Sequence, residues 1–287
     1  MLMFRQILLG LTIFASFVFA SYSLYPVPAA NSGEIKIAPS FLMVDGVADS
    51  KHKQYGVALK TRIVPATNLE LFFSVPFVVA SSSYDECLEA LAPYDDGSRD
   101  PSFYCMEKGF YTGAQNLSAG VRFQALPNVA LFAEMTAPTG KESISSQVFE
   151  LFLGGQYSTK FGPLELGTEL GLVYLTENDE KNWAEKQGPM QIAVAFELNY
   201  SVIPIVLPYI GGMVNVVLTN PEFRSGAVGP ETQGLVGFFP YLGAGFIISD
   251  LFSVDLKTIF SIGDDYTELF GGKGRLVIEL SFIAHWH

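Results

Sequence analysis

Three histidines, His52, His285 and His287, are the only side chains in this chain of 287 residues that titrate near neutral pH unaided, so a general-base site would be built on one of them. His52 sits in "DSKHKQ", a solvated connection with no serine two residues on, and the other two close the chain in "AHWH". His285 and His287 share one face of a two-residue period, yet two ligands without a third make a poor metal site. Asp95-Asp96 and Asp264-Asp265 are acidic pairs in polar connections, without the oxygen spacing of a calcium loop. These residues predict no catalytic group, no metal and no cofactor. Cys87 and Cys105 flank an acidic stretch, and in an exported chain they predict one disulfide, worth about 3 kcal/mol in the chain-entropy account.

A larger set of charges does carry a pattern. Lys36, Lys60, Arg62, Arg122, Glu134, Glu150, Glu165, Glu169, Glu197, Lys257, Arg275 and Glu279 lie in segments where every second residue is apolar. "LELGTELGLVYL" sets Leu164, Leu166, Thr168, Leu170, Leu172 and Tyr174 against Glu165, Gly167, Glu169 and Gly171. "LVIELSFIAHWH" sets Leu276, Ile278, Leu280, Phe282 and Trp286 against Glu279, Ser281 and His285. A strand with that alternation has one greasy and one polar face, and the charges all fall on the second.

About twelve such segments of roughly ten residues follow one another, which is the length of a tilted membrane-spanning strand. The connections alternate as well. "PATN", "LPN", "TKFGP" and "SDL" are tight, whereas the Cys-bearing stretch, "TENDEKNWAEKQG" and "NPEFRSGAVGPET" are long. Two uncharged stretches, from Tyr200 and from Thr232, are long enough for helices, but Pro204, Pro208, Gly211, Gly212 and Pro240 interrupt them. The expectation is an all-β, up-and-down antiparallel transmembrane barrel of about twelve strands, with short periplasmic turns and long extracellular loops.

The ends agree. Arg5, an apolar run from Ile7 to Phe19 and the small residues of "VFA" read as a secretory signal over residues 1–20. Residues 21–33, polar and proline-bearing, form a periplasmic segment, and residues 34–287 the barrel. A net charge of −12 argues against nucleic acid as a partner. The mean hydropathy of +0.30 demands a partner for apolar surface, which in a barrel is lipid.

The signal, the amphipathic strands, the alternating loops and an aromatic-terminated last strand together resemble a Gram-negative outer-membrane β-barrel protein. The resemblance implies location in the outer membrane among phospholipid and lipopolysaccharide, and recognition of the last strand, through Leu280, Phe282 and Trp286, by the barrel assembly machinery. His287 after Trp286 departs from the usual aromatic end. A slighter echo, Pro138-Thr139-Gly140, is similar to barrels associated with aromatic-degradation operons.

Barrels of this kind that are enzymes place a His beside Ser or Asp, and no such pairing is visible in sequence, so no enzyme is expected. The charges predict a channel or transport protein for small solutes, with basic residues from the first two and last strands facing Glu134, Glu150 and Glu169 across a lumen. Two alternatives stand beside it. One is a plugged structural or binding barrel, filled by ion pairs and by Phe72, Phe132, Phe152, Phe239 and Tyr241. The other is a lateral transporter of apolar molecules, opened at Pro76, Pro240 or Gly211-Gly212.

Overall fold

The computed structural model describes residues 23–45, 51–82, 110–141, 145, 148–177, 185–201, 203–223, 231–262, 266 and 273–287. The signal segment, both cysteines and both acidic pairs lie outside the described residues. The strands are β1 (Gly33–Asp45), β2 (Lys51–Ala66), β3 (Leu69–Ser82), β4 (Phe110–Ala114), β5 (Leu117–Leu126), β6 (Val129–Ala137), β7 (Glu150–Phe161), β8 (Leu164–Leu175), β9 (Glu185–Gln187), β10 (Gln191–Tyr200), β11 (Val206–Val217), β12 (Glu222–Phe223), β13 (Val236–Ser249), β14 (Phe252–Phe260) and β15 (Lys273–Trp286).

Each strand pairs antiparallel with the next around one sheet, and β1 pairs with β15, which closes it. Because β4 and β5 follow one another along β3, the wall has twelve staves. The short β9 and β12 pair with each other, joining two long connections, and Gln187 of β9 also bridges back to Glu177. The tight turns lie at the end holding both termini, the periplasmic end of such a barrel. Two of them are closed by a residue in the left-handed region, Asn68 (φ 68°) and Gly162 (φ 58°), as two-residue hairpins require.

Alternation holds around the wall. Leu59, Leu131, Leu170, Ile210, Leu242 and Phe282 stand exposed on the outside, the reverse of a soluble core and the face that lipid demands. On the inside, Lys60, Glu70, Arg122, Glu150, Glu169, Arg275 and Glu279 are buried. The chain therefore has the fold of a transmembrane β-barrel, all-β and up-and-down. Some strands run past the apolar band. His52 belongs to β2, paired with Val44, rather than to a loop, and Phe110–Ala114 is strand rather than connection.

Proline marks where pairing fails. Pro76 has no N–H to donate, and opposite it β4 and β5 are separated by Gln115 and Asn116. The gap is bridged by the backbone, Gln115 N donating to Pro76 O (3.0 Å), and on the β6 side Leu117 N donates to Thr139 Oγ1 (3.0 Å) and Gly140 N to Asn116 Oδ1 (3.0 Å), so the Pro138-Thr139-Gly140 stretch caps the break. Pro240 keeps register with Gly212 of β11, while the ladder to β14 stops at Tyr241. Gly211 and Gly212 pair continuously with β10 and β13, so the wall does not open at them.

Glycines on the inner face have a shared use. A Cβ on Gly120 would lie 2.2 Å from the Phe72 ring, one on Gly154 2.6 Å from Phe132, one on Gly171 2.3 Å from Phe152 and one on Gly211 2.4 Å from Tyr241. Each ring thus occupies the space that a missing side chain leaves on a neighbouring strand. Replacing Gly120 with valine is expected to force Phe72 off the wall and destabilise the barrel by about 1–3 kcal/mol, the usual effect of overpacking. The urea midpoint in lipid vesicles checks this.

Candidate functional site: the barrel interior

The inner wall carries both apolar and charged side chains. Leu42, Val44, Phe239, Tyr241, Ile259 and Val277 form one apolar cluster and Phe72, Phe132, Phe152, Val173 and Leu175 another, both touched by Met213. Most of the paired charges lie nearer the periplasmic end, with Phe72 and Phe132 level with Arg62 and Arg122, and Glu150 and Arg275 lie at the extracellular end. The reason is parity: strands that alternate outward must place their polar residues inward, and only mutual pairing makes that burial tolerable.

The pairs are local. Lys36 Nζ lies 3.0 Å and Lys60 Nζ 3.5 Å from the Glu279 carboxylate, which also accepts from Ser281 Oγ at 3.0 Å. Arg62 makes a fork to both oxygens of Glu34 (2.8 and 2.6 Å) and stands 4.0 Å from Glu70. Arg122 binds Glu70 at 2.6 Å, and its other arm donates to Gln156 Oε1 at 3.1 Å. Gln156 passes the contact on to Glu169 at 2.8 Å. Asp255 accepts from Tyr209 at 3.0 Å, and Lys257 sits 3.8 Å above the Tyr241 ring. Arg62 thus pairs with Glu34 of the adjoining β1, and Lys60 reaches past β1 to Glu279 of β15 while its charge also acts on Glu134.

Glu134 and Glu150 lie one step apart on β6 and β7, beside the Phe132 and Phe152 rings. Glu165 and Glu197 contribute by their main chain as well as their charge. Their carbonyls accept from the Tyr25 hydroxyl at 3.4 and 3.2 Å. Arg275 is buried at the extracellular end, its N–H donating to Ser261 Oγ at 3.0 Å. Leu280 and Phe282 face outward, and Trp286 folds over Gly33, where an added Cβ would lie 2.1 Å from the indole.

The segment before β1 is where the structure departs most from expectation. Instead of trailing into the periplasm, it crosses the lumen. Asn31 N donates to Val64 O (2.7 Å) on β2, Val27 N to the Gln124 side chain (2.8 Å), and Arg122 donates to Tyr25 O (2.6 Å) and to Ser23 O. Tyr25 then reaches β8 and β10, the wall opposite β1. Burial, with the Glu197 carboxylate nearby, holds its phenol protonated well above the ordinary tyrosine range. Residues 23–32 thus form a strap across the charged end, held almost wholly by polar contacts. Sequence offered no signal beyond a tyrosine among prolines, because the strap's partners are largely carbonyls.

One further contact escaped the sequence reading. Ser253 Oγ hydrogen-bonds His285 Nε2 at 2.8 Å, and His285 Nδ1 lies 3.7 Å from Glu34 Oε2. The order is that of a serine, base and acid relay, but Glu34 is committed to Arg62 and lies beyond hydrogen-bond distance from the imidazole. Among the described residues no group of three or more His, Cys, Asp or Glu converges as metal ligands would.

No protein-family model matches the sequence, and no curated protein is significantly similar to it. Solved structures do match. An outer-membrane channel from Pseudomonas putida F1 superposes with a TM-score of 0.66 over 91% of this chain and 98% of that one, at 12% identity. The porin NanC gives a TM-score of 0.50 over 88% and 100%, at 4% identity. Fold alone is shared at such identities. The chain is an outer-membrane-type β-barrel.

Proposed function

We propose that this protein is a passive channel of the outer membrane for small solutes, with the strap of residues 23–32 narrowing its periplasmic exit. The observation that carries the proposal is a closed wall of twelve staves whose inner face carries Lys60, Glu70, Arg122, Glu169 and Glu279 as well as aromatic rings seated on glycines. The shared fold with an outer-membrane channel supports the same reading. A solute moving inward meets apolar rings interleaved with charged side chains, and at the periplasmic end the paired charges and the strap.

No covalent step is part of this proposal, and the engagement of Glu34 by Arg62 supports leaving the Ser253 and His285 pair out of chemistry. Ester hydrolysis by the purified protein, abolished in Ser253→Ala, would reverse that choice. Lateral exit has less support, since the backbone bond from Gln115 N to Pro76 O spans the gap opposite Pro76.

Single-channel recording in planar bilayers tests the passage itself, and a protein that folds but never conducts would exclude it. Selectivity tests the charges. Acids on β6 to β8 line one side, so the triple variant Glu134→Lys, Glu150→Lys, Glu169→Lys is expected to move the reversal potential in a salt gradient toward anion preference. An unmoved potential would remove these residues from selectivity.

A further inference from the structure

The tight turns at the periplasmic end are unlike one another. Between β2 and β3 the turn is Thr67-Asn68, polar and exposed. The turn between β10 and β11 instead carries Ile203 and Ile205, and the one between β13 and β14 carries Leu251, flanked by Ile248 and Phe252. Each of these five side chains is more than half exposed, as is Phe161 beside the turn between β7 and β8. The staves β10, β11, β13 and β14 are neighbours, so the five form one sector of the rim. Apolar surface gathered in this way calls for a partner.

The partner is indicated first by continuity with the outer wall. On β13 every outward residue from Val236 to Ile248 is apolar, Leu242 and Phe246 among them. That run is about 40 Å along the strand at about 3.3 Å per residue, hence about 30 Å high at a tilt of about 40°, against an apolar band of about 25 Å. On β2 the outward run is shorter, from Tyr55 to Ile63, with Lys53 beyond one end and Pro65 and Thr67 beyond the other. The apolar surface is therefore taller on one side of the barrel, and there it continues into the turns.

The backbone of that sector gives the second indication, because it bonds within the protein. Ser201 N donates to Pro163 O (2.8 Å), Val206 N to Ile203 O (3.3 Å) and Ile247 N to Ile205 O (2.9 Å). Leu251 N donates to Ser249 Oγ (3.3 Å), and His285 N to Leu251 O (2.8 Å). Hydrocarbon supplies no hydrogen bonds, so only turns knitted in this way are tolerated there. Charge agrees as well. Lys160 and Asp250 adjoin the patch and are exposed, and a zwitterionic phospholipid offers a phosphate to the one and an ammonium to the other.

We propose that the periplasmic rim between β10 and β14 lies within the periplasmic leaflet, its Ile203, Ile205 and Leu251 covered by phospholipid acyl chains, so that the barrel axis is inclined and the β2–β3 turn stays in water. This fixes how the barrel sits in its membrane and is independent of whether it conducts.

Tryptophan emission reads the contact. Ile205→Trp and Leu251→Trp are each compared with the native chain in vesicles of phosphatidylcholine brominated on its acyl chains. Both added indoles are expected to emit to the blue and to be quenched by the bromine, as in Leu242→Trp on the outer wall, whereas Thr67→Trp stays unquenched by lipid and yields to aqueous acrylamide. Gel mobility of the unheated protein identifies the folded fraction that is measured. If Ile205→Trp and Leu251→Trp instead behave like Thr67→Trp, the proposal is overturned and the patch is left to a soluble periplasmic protein. Charge supplies a second reading. Ile205→Lys and Leu251→Lys are expected to lower the urea midpoint in vesicles while Thr67→Lys leaves it unmoved, because lysine is unfavourable on a lipid face. Equal midpoints in all three would likewise overturn the proposal.

Discussion

Arg122→Met is expected to destabilise the barrel by about 3–5 kcal/mol and, in the same protein, to raise its single-channel conductance. Both effects come from one guanidinium. It is 0% exposed, bound to the equally buried Glu70 at 2.6 Å, and it also holds the strap through the carbonyls of Ser23 and Tyr25. Without it Glu70 keeps, among the described residues, the Arg62 guanidinium at 4.0 Å, and a poorly compensated buried carboxylate is what makes such removals severe. Released from Arg122, the strap keeps its backbone anchor at Val64 through Asn31 and Ser32, but its residues 23–27 retain only a hydrogen bond from Val27 and those of Tyr25 among the contacts to the wall described above, which loosens that half.

The double variant Glu70→Leu, Arg122→Met separates the two consequences. With neither charge present, stability is expected to return toward the native value, while the strap stays loose and the conductance stays high. Urea unfolding in vesicles and planar-bilayer currents measure the two independently. Native conductance in both variants, or in a chain lacking residues 23–30, would mean that the strap does not restrict the exit.

Glu279→Leu should be comparably damaging, at about 3–5 kcal/mol, because this one carboxylate lies within ion-pair distance of two lysines of the inner wall. Lys36 and Lys60 come from β1 and β2 and meet it at 3.0 and 3.5 Å, beside the line where β15 joins β1. Removing the acid leaves two ammonium groups repelling one another at that joint. Adding Lys60→Met to Glu279→Leu should recover part of the loss, and the triple variant with Lys36→Met most of it. A urea midpoint that does not fall in Glu279→Leu would show that water already solvates the lysines.

How much of this was legible in the residues depended on which neighbour enforces the choice. Lipid accepts only apolar side chains, so Leu170, Leu242 and Phe282 announce the outer face, and parity then sends Glu169, Tyr241 and Glu279 inward. Spacing alone thus assigns a side to every charge. It does not assign partners: that Lys60 meets Glu279 from the far end of the chain follows from closure of the sheet and from stave stagger. Tight turns were visible through Asn68 and Gly162, whereas the ends of strands were not, since β2 and β4 continue into polar residues beyond the membrane. The strap was hidden for a different reason. Its fixed partners are backbone carbonyls and one arginine, and a carbonyl has no letter in the sequence. Tyr266 was hidden likewise, a ring in a loop whose seat is the absence of a side chain at Gly237.

The joint between β1 and β15 also has a kinetic meaning. Its register runs from Gly33 opposite Trp286 to Asp45 opposite Lys273, so residues near opposite ends of the chain must find one another before any edge is satisfied. Every other pair of staves is a neighbour in sequence and can form as a hairpin, quickly and locally. Closure is therefore the step of greatest loop entropy and the natural last event of folding. Until it happens, an eleven-hairpin sheet exposes two unpaired edges in a membrane that offers no hydrogen bonds, the state most prone to mispairing with another copy. The indole of Trp286 resting on Gly33 then acts as a latch at the far end of that zipper, and its loss should lengthen the time spent open rather than alter the barrel once shut.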